Sequence, residues 1–422
     1  MMHSRNIVVV GGGFAGTAVM RQLAKELPAG WRAVLLSEET YMLYTPLLPE
    51  VVGGSLLPTH TVAPLRHIIK KLDYRRGVVT GIDFANRRIQ YRERVVRELP
   101  YEHLVLACGT LANLDIVPGM AEHGIALKTL GDALYLRNRM IERLEQAALE
   151  DDRQTRRSLT RFCVIGGGSS GVEVAGAMRD FLVAAGRQYD NIDIEELEVI
   201  LIESGERLLS EFPVTLGDFA RHALENHGVQ VRLNTRIDRV SAIALEDRDG
   251  NRVESRNAVC TIGTSPCPLI ERLSLPKKQG RVSTRPEMTV QGMRNIWAVG
   301  DCAAVPNRIT GELSPPTAQF AVRHGEQAAK NIVRRLQGRA TRSFSYRPRG
   351  ELACVGYHRA VASIFGMKLS GFPAWLLWRA FYLFKLPTLL RKLQVNFEWN
   401  VEMLFPQDVT QLHFVRTQSR HR

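Results

Sequence analysis

The chain has 422 residues, 45% of them hydrophobic and 23% charged, which excludes a disordered polymer and allows two or three domains. Its formal net charge of +13 fits either a solvated basic surface or an anionic partner such as nucleic acid, acidic lipid or a phosphate-bearing ligand. The six cysteines form no CxxC pair and no cluster with histidine, which argues against a metal site and, at this size, against a disulfide scaffold.

Residues 1–6 run straight into Ile7–Val10, so no signal peptide is expected. Asn6–Val19 reads NIVVVGGGFAGTAV, a β-branched run, a glycine loop and a helical pattern. Gly11, Gly13 and Gly16 fit GxGxxG: a tight turn, room for a pyrophosphate, and close helix–strand packing. The strand Ala33–Leu36 then leads to Ser37 and Glu38. A group at that strand end accepts from ribose hydroxyls; Glu38 has nearly the expected spacing, and Ser37 fits the same place. A charged, hairpin-like stretch follows from about Tyr74 to Glu98, then an apolar strand ending in glycine, His103–Gly109, and a helical pattern over Leu130–Leu149.

Arg161–Val174 reads RFCVIGGGSSGVEV and repeats the first unit 155 residues later, with Gly166, Gly168 and Gly171 in the loop. Glu173 falls in the first helical turn, where negative charge is favourable. Strand Leu197–Ile202 ends at Glu203. A carboxylate there accepts from both ribose hydroxyls and repels a 2′-phosphate, which favours NADH over NADPH, although Arg207 could hold such a phosphate. A helical pattern spans Leu216–His227, and the strand Ala258–Gly263 again ends in glycine, Gly263. Asn295–Cys302 reads NIWAVGDC, and its Asp301 is either a turn aspartate or an acceptor for a ribityl hydroxyl. Two dinucleotide loops in one chain imply an α/β fold of two Rossmann-type domains and electron transfer between two cofactors.

Beyond Pro348 the composition changes. Phe372–Leu393 reads FPAWLLWRAFYLFKLPTLLRKL, with Arg379, Lys385, Arg391 and Lys392 among the apolar residues and Pro387 breaking any single helix. This is either a buried helical hairpin or an interfacial anchor lying in one leaflet. Asn396–Met403 fits a strand or a helix. No run of 18 uncharged apolar residues exists, so no transmembrane helix is expected.

With these residues in view, the chain resembles the two-dinucleotide-binding flavoprotein disulfide-reductase superfamily and, within it, the type II NADH:quinone oxidoreductases. The glycine loops and Gly300-Asp301 carry the first resemblance. Pro316-Thr317-Ala318-Gln319 and the Trp-rich tail carry the second, with Thr45-Pro46-Leu47-Leu48 and Lys368–Phe372 in support. It spans nearly the whole chain and implies FAD and NADH as cofactors, bound by Gly11, Gly13, Gly16, Ser37, Glu38, Pro46, Asp301, Gly166, Gly168, Gly171, Glu203 and Gly263. It implies an FAD domain at 1–115 and 290–345, an inserted NAD domain at 116–289, and a membrane-docking region at 346–422.

The resemblance also gives Glu173 a role in orienting nicotinamide or relaying a proton, and sets Gln319 at a membrane quinone. Relatives often carry AQxAxQ followed by another Gln; here Arg323 and His324 stand in place of those glutamines. Like the glutamines, both can hydrogen-bond a quinone carbonyl, and they are expected to add positive charge that favours a reduced quinone anion, or else to pair with headgroups or a carboxylate. The enzyme so described is peripheral, on the cytoplasmic face of the cell membrane, and compatible with a homodimer. The rival readings are a reductase of a soluble ferredoxin or rubredoxin and a flavin- and NAD-dependent redox sensor. Scattered basic residues and the lack of an aromatic–basic motif argue against nucleic acid.

Overall fold

The computed structural model describes residues 5–69, 72–348, 350–405 and 408–412. Its contacts divide the chain into two compact units, Met1–Leu43 with Val62–Leu111 and Thr264–Pro348, and Tyr44–Thr61 with Ala112–Gly263 and Arg349–Arg422.

The first unit is built on a five-stranded parallel sheet. Its order is Ile296–Ala298, His103–Leu106, Arg5–Val10, Trp31–Ser37 and Asp73–Arg76. Ile7–Val10 are buried without alternation, as expected of a parallel strand covered on both faces. Helices Phe14–Glu26 and Ala318–Leu336 pack against one another beside it. The charged stretch near 74–98 is more than a hairpin: Asp73–Arg76 closes the parallel sheet, and Val78–Asp83, Arg88–Arg92 and Val96–Pro100 form an antiparallel meander.

The second unit repeats the plan. Its parallel sheet runs Gly124–Ala126, Ala258–Cys260, Phe162–Ile165, Val199–Ile202 and Val229–Arg232. The helix Leu130–Ala148 starts at Thr129, whose side chain accepts from the Asp132 N–H while Asp132 accepts from the Thr129 N–H, a capping box that fixes the start. Helices Ser169–Gly186 and Val214–Asn226 follow their glycine loop and strand. A three-stranded antiparallel sheet, Gly350–Gly356, Arg359–Ile364 and Met367–Gly371, then leads to helices Phe372–Lys385 and Leu389–Glu402. Residues 396–402 are therefore helical, and the break falls at Leu386–Thr388 around Pro387.

The division differs from the one read from sequence in three respects. Residues 264–289, read as the end of the inserted domain, group with the first unit. Residues 44–61 group with the second unit rather than the first. The segment from 349 onward groups with that unit as well, instead of standing as a third body.

Candidate functional site

The two glycine loops are built in the same register. Val10 pairs with Leu36, and Ile165 with Ile202. The Gly11 N–H donates to the Leu36 carbonyl at 2.8 Å and the Gly166 N–H to that of Ile202 at 2.8 Å. Each helix then opens alike: Thr17 N–H donates to Gly13 and Val172 N–H to Gly168, both at 3.0 Å.

Within each loop the glycines have different reasons. Gly11 and Gly166 turn at φ +109° and +115°. A Cβ on Gly16 would lie 1.9 Å from the Gly11 carbonyl oxygen, and one on Gly171 would lie 1.8 Å from that of Gly166. The fold itself thus demands the first and last glycines. Gly13 and Gly168 have no protein atom within 4 Å of a Cβ. Each is the N-cap of its helix, and neither helix has a side-chain cap. Open space at uncapped N–H groups suits a phosphate-bearing ligand.

The same register matches Ser37 with Glu203. A Cβ on Gly12 would meet the Ser37 Oγ at 2.7 Å; one on Gly167 would meet the Glu203 Cβ at 2.9 Å. Ser37 is buried, while Glu38, one residue further, is exposed. Glu203 accepts from the Gly167 N–H at 2.5 Å and the Gly205 N–H at 2.7 Å, so it also braces its loop. Gly263, at φ +70°, packs against Ile116 and Asn113 of the same unit. Pro46 lies in the short 3-10 helix Thr45–Leu47, which groups with the second unit.

Asp301 follows Gly300, which turns at φ +70° and is held by His324: the Gly300 N–H donates to His324 Nδ1 at 3.3 Å. His324 is buried, and burial, aided by Arg281, pushes its pKa down to about 3. This corrects the expectation of a cationic histidine. The ring is neutral and supports the Asp301 turn. Arg323 lies on another face of the helix, donating to Glu326 at 2.8 Å, so its charge is paired. Gln319 shares that face and accepts from the Tyr346 hydroxyl at 2.7 Å.

In the second unit, Glu173 is buried and its pKa raised to about 7 by desolvation. Both its hydrogen bonds, from the Cys354 N–H and the Trp378 Nε1–H at 3.1 Å, fall on Oε1. The same cleft is lined by Glu50, Glu402, Arg379 and Trp375. Glu50 accepts from the Trp399 Nε1–H at 3.1 Å. Its pKa is pushed up to about 8 by burial and then by Glu402. Arg379 bonds Glu402 at 3.0 Å and sits 3.9 Å over the Trp375 ring. Sequence reading missed this acid cluster. Its only signal was a lone glutamate after an apolar run, Thr45–Pro49.

The tail divides its residues between both readings. Trp375, Trp378 and Trp399 are buried, and Arg379 is inside with them. Phe384, Leu389, Leu393, Phe397 and Leu404 are 61–79% exposed. Trp375, Trp378 and Arg379 are therefore part of the core, as the buried-hairpin reading has it. Among the described residues no helix is long and apolar enough to cross a membrane.

The sequence matches the pyridine nucleotide-disulphide oxidoreductase family over residues 5–325 and an NDH2 C-terminal domain over residues 349–408. It is 32% identical to demethylphylloquinone reductase NdbB of Synechocystis, covering 93% of this chain and 95% of that one. It is 31% identical to the type II NADH:quinone oxidoreductase Ndh of Mycobacterium tuberculosis, covering 94% and 88%. The fold matches NDH2 of Plasmodium falciparum, solved in complex with NADH, with a TM-score of 0.89 at 18% identity, covering 97% of this chain and all of that one. The chain belongs to the pyridine nucleotide-disulphide oxidoreductase family and, within it, to the type II NADH:quinone oxidoreductases.

Proposed function

We propose that the protein oxidises NADH through a bound FAD and delivers the electrons to a membrane quinone without pumping protons. It does so as a peripheral enzyme, monomer or homodimer, on the cytoplasmic face of the cell membrane. The observation that carries this reading is the row of exposed apolar side chains on the C-terminal helices, in a chain with two open dinucleotide loops. Burying one such side chain in a leaflet contributes on the order of 1.5–3 kcal/mol, and each nearby lysine or arginine about 1 kcal/mol against anionic lipid.

FAD, held at Gly11, Gly13, Gly16, Ser37 and Asp301, supplies the two-electron chemistry between NADH and quinone. The chain's own part is positioning and proton control. Gly166, Gly168 and Gly171 leave room for the NADH pyrophosphate, and Glu203 takes its ribose hydroxyls. Glu173, with Oε1 already bonded twice, has Oε2 to hold or release a proton near neutral pH. Gln319, fixed by Tyr346 through its carbonyl, keeps its amide N–H groups for a quinone oxygen. Steady-state NADH oxidation with a soluble quinone analogue, then with long-chain quinone in liposomes, tests the reading. Purified protein that carries bound FAD but fails to turn over with either acceptor refutes it.

A further inference from the structure

The acid cluster of the second unit encloses space as well as charge. Glu50, Glu173 and Glu402 line one cavity of about 30 Å³, more than the roughly 10–15 Å³ that a single water needs. They come from three separate helices, Leu48–Val52, Ser169–Gly186 and Leu389–Glu402. Arg379, on the helix Phe372–Lys385, lines the same cavity. Its Nη2 donates to Glu402 at 3.0 Å and its Nη1 to the Trp399 carbonyl at 3.2 Å, but its Nε–H is buried with no protein partner. A buried guanidinium N–H left unbonded is costly, and a water in the cavity can accept from it.

Two of the carboxylates keep an oxygen for that water. Glu173 takes both of its hydrogen bonds on Oε1, and Glu50 takes the Trp399 Nε1–H on Oε2. Glu402 is used on both oxygens, by the Ser55 hydroxyl at 2.6 Å and by Arg379. Asp180, the fourth carboxylate of the lining, is held by His227 at 2.5 Å and by the Tyr357 N–H at 2.8 Å. Tyr357 lines the cavity too and is 38% exposed, which gives the space a solvent side. Burial raises the pKa of Glu173 to about 7; burial and then Glu402, opposed by Arg379, raise that of Glu50 to about 8. Both therefore exchange protons near neutrality. Cys354 and Tyr382, also close to Glu173, keep their protons there because burial raises both.

We propose that a water in this cavity joins Glu50 to Glu173, and that Glu50 returns to Glu173 the proton it gives up at each turnover. The inference rests on the proposed reduction of quinone by NADH. In that reaction NADH, quinone and one proton give NAD+ and quinol. The hydride that leaves NADH draws no proton from solvent, whereas the formation of quinol draws one. Glu173 releases a proton from Oε2, the water carries the Glu50 proton to it, and Glu50 is reprotonated from the Tyr357 side. Glu402 and Arg379 are positioning residues: their ion pair fixes the guanidinium whose Nε–H holds the water.

The test compares flavin-loaded, full-length wild type with Glu50→Gln and Glu50→Asp. Glu50→Gln keeps an acceptor for Trp399 but has no proton to pass. Its kcat with a soluble quinone analogue should fall roughly tenfold or more at an unchanged KM for quinone, while NADH bleaches the flavin at the wild-type rate in stopped flow. Formate, small enough for a space of this size, should restore kcat in Glu50→Gln and leave the wild type as it was. Glu50→Asp keeps a titrating carboxylate and should retain most of kcat. Independently of any variant, wild-type kcat should drop in D2O while flavin bleaching does not. Full kcat in Glu50→Gln, a loss that Glu50→Asp shares and formate does not reverse, or a wild-type kcat indifferent to D2O would overturn the proposal. The two readings fail differently. A wild type that cannot reduce quinone removes the function itself, whereas full kcat in Glu50→Gln beside an impaired Glu173→Gln removes only the relay.

Discussion

Glu203 and Ser37 occupy one structural position in two loops, and their difference carries a consequence for nucleotide choice. Both Glu203 oxygens already accept loop N–H groups, so removing the carboxylate loosens the loop as well as the ribose contact. The ratio of kcat/KM for NADH to that for NADPH cancels the first effect. In Glu203→Ala it should narrow by about 1–3 kcal/mol, the scale of one charge-assisted hydrogen bond; an unchanged ratio removes Glu203 from nucleotide selection. Glu50 makes a second residue-scale prediction. Its pKa, raised from 4.5 to about 8, means the native state holds a proton that the unfolded chain has released. Between those values the unfolded state binds fewer protons, so stability present below about pH 4.5 is lost as pH rises through about 8. Glu50→Gln keeps an acceptor for Trp399 and has no charge to bury. Its melting temperature should fall less than that of the wild type between pH 5 and pH 9, by about 2–4 °C for each kcal/mol involved. Parallel pH profiles for the two proteins count against a buried, protonated Glu50.

At the scale of elements, the glycine loops separate what the fold needs from what a ligand needs. Gly13→Ala meets no protein atom and sits at φ −77°, so the variant should fold with a near-normal circular dichroism spectrum and melting temperature yet purify with little flavin. Gly16→Ala meets the Gly11 carbonyl and should lose the fold. Full flavin in Gly13→Ala rejects the assignment of the first loop to FAD. Much of this was legible in the sequence, because a strand, three spaced glycines and a helix follow one another within fifteen residues or so. His324 was not. Its neighbours Arg323 and Gln319 share a surface face, and only the packing of the helix against Gly300 shows the ring turned inward and uncharged. The tail was half legible for a related reason. Tryptophans beside basic residues mark both interfacial anchors and buried hairpins, and spacing alone did not separate the buried Trp378 from the exposed Phe384. Serine at Phe384, Leu389, Leu393 and Phe397 together should leave the core and its melting temperature intact, because all four are 61–74% exposed. It should also release the protein from liposomes; retention on the vesicles would move the membrane contact elsewhere.

For the whole molecule, the repeated register has a stoichiometric meaning. FAD and NADH share an ADP half, and that half is what a glycine loop with an open N-cap and a polar group at the next strand end is shaped to take. Position for position, the two sheets and loops present the same socket, one finished with serine and the other with glutamate. Free ADP should therefore count the sockets. Equilibrium dialysis should find about two ADP bound per flavin-depleted chain and one per flavin-loaded chain, the second lost only where the larger dinucleotide is in place. One ADP in both forms would mean that the likeness of the two halves stops at the backbone.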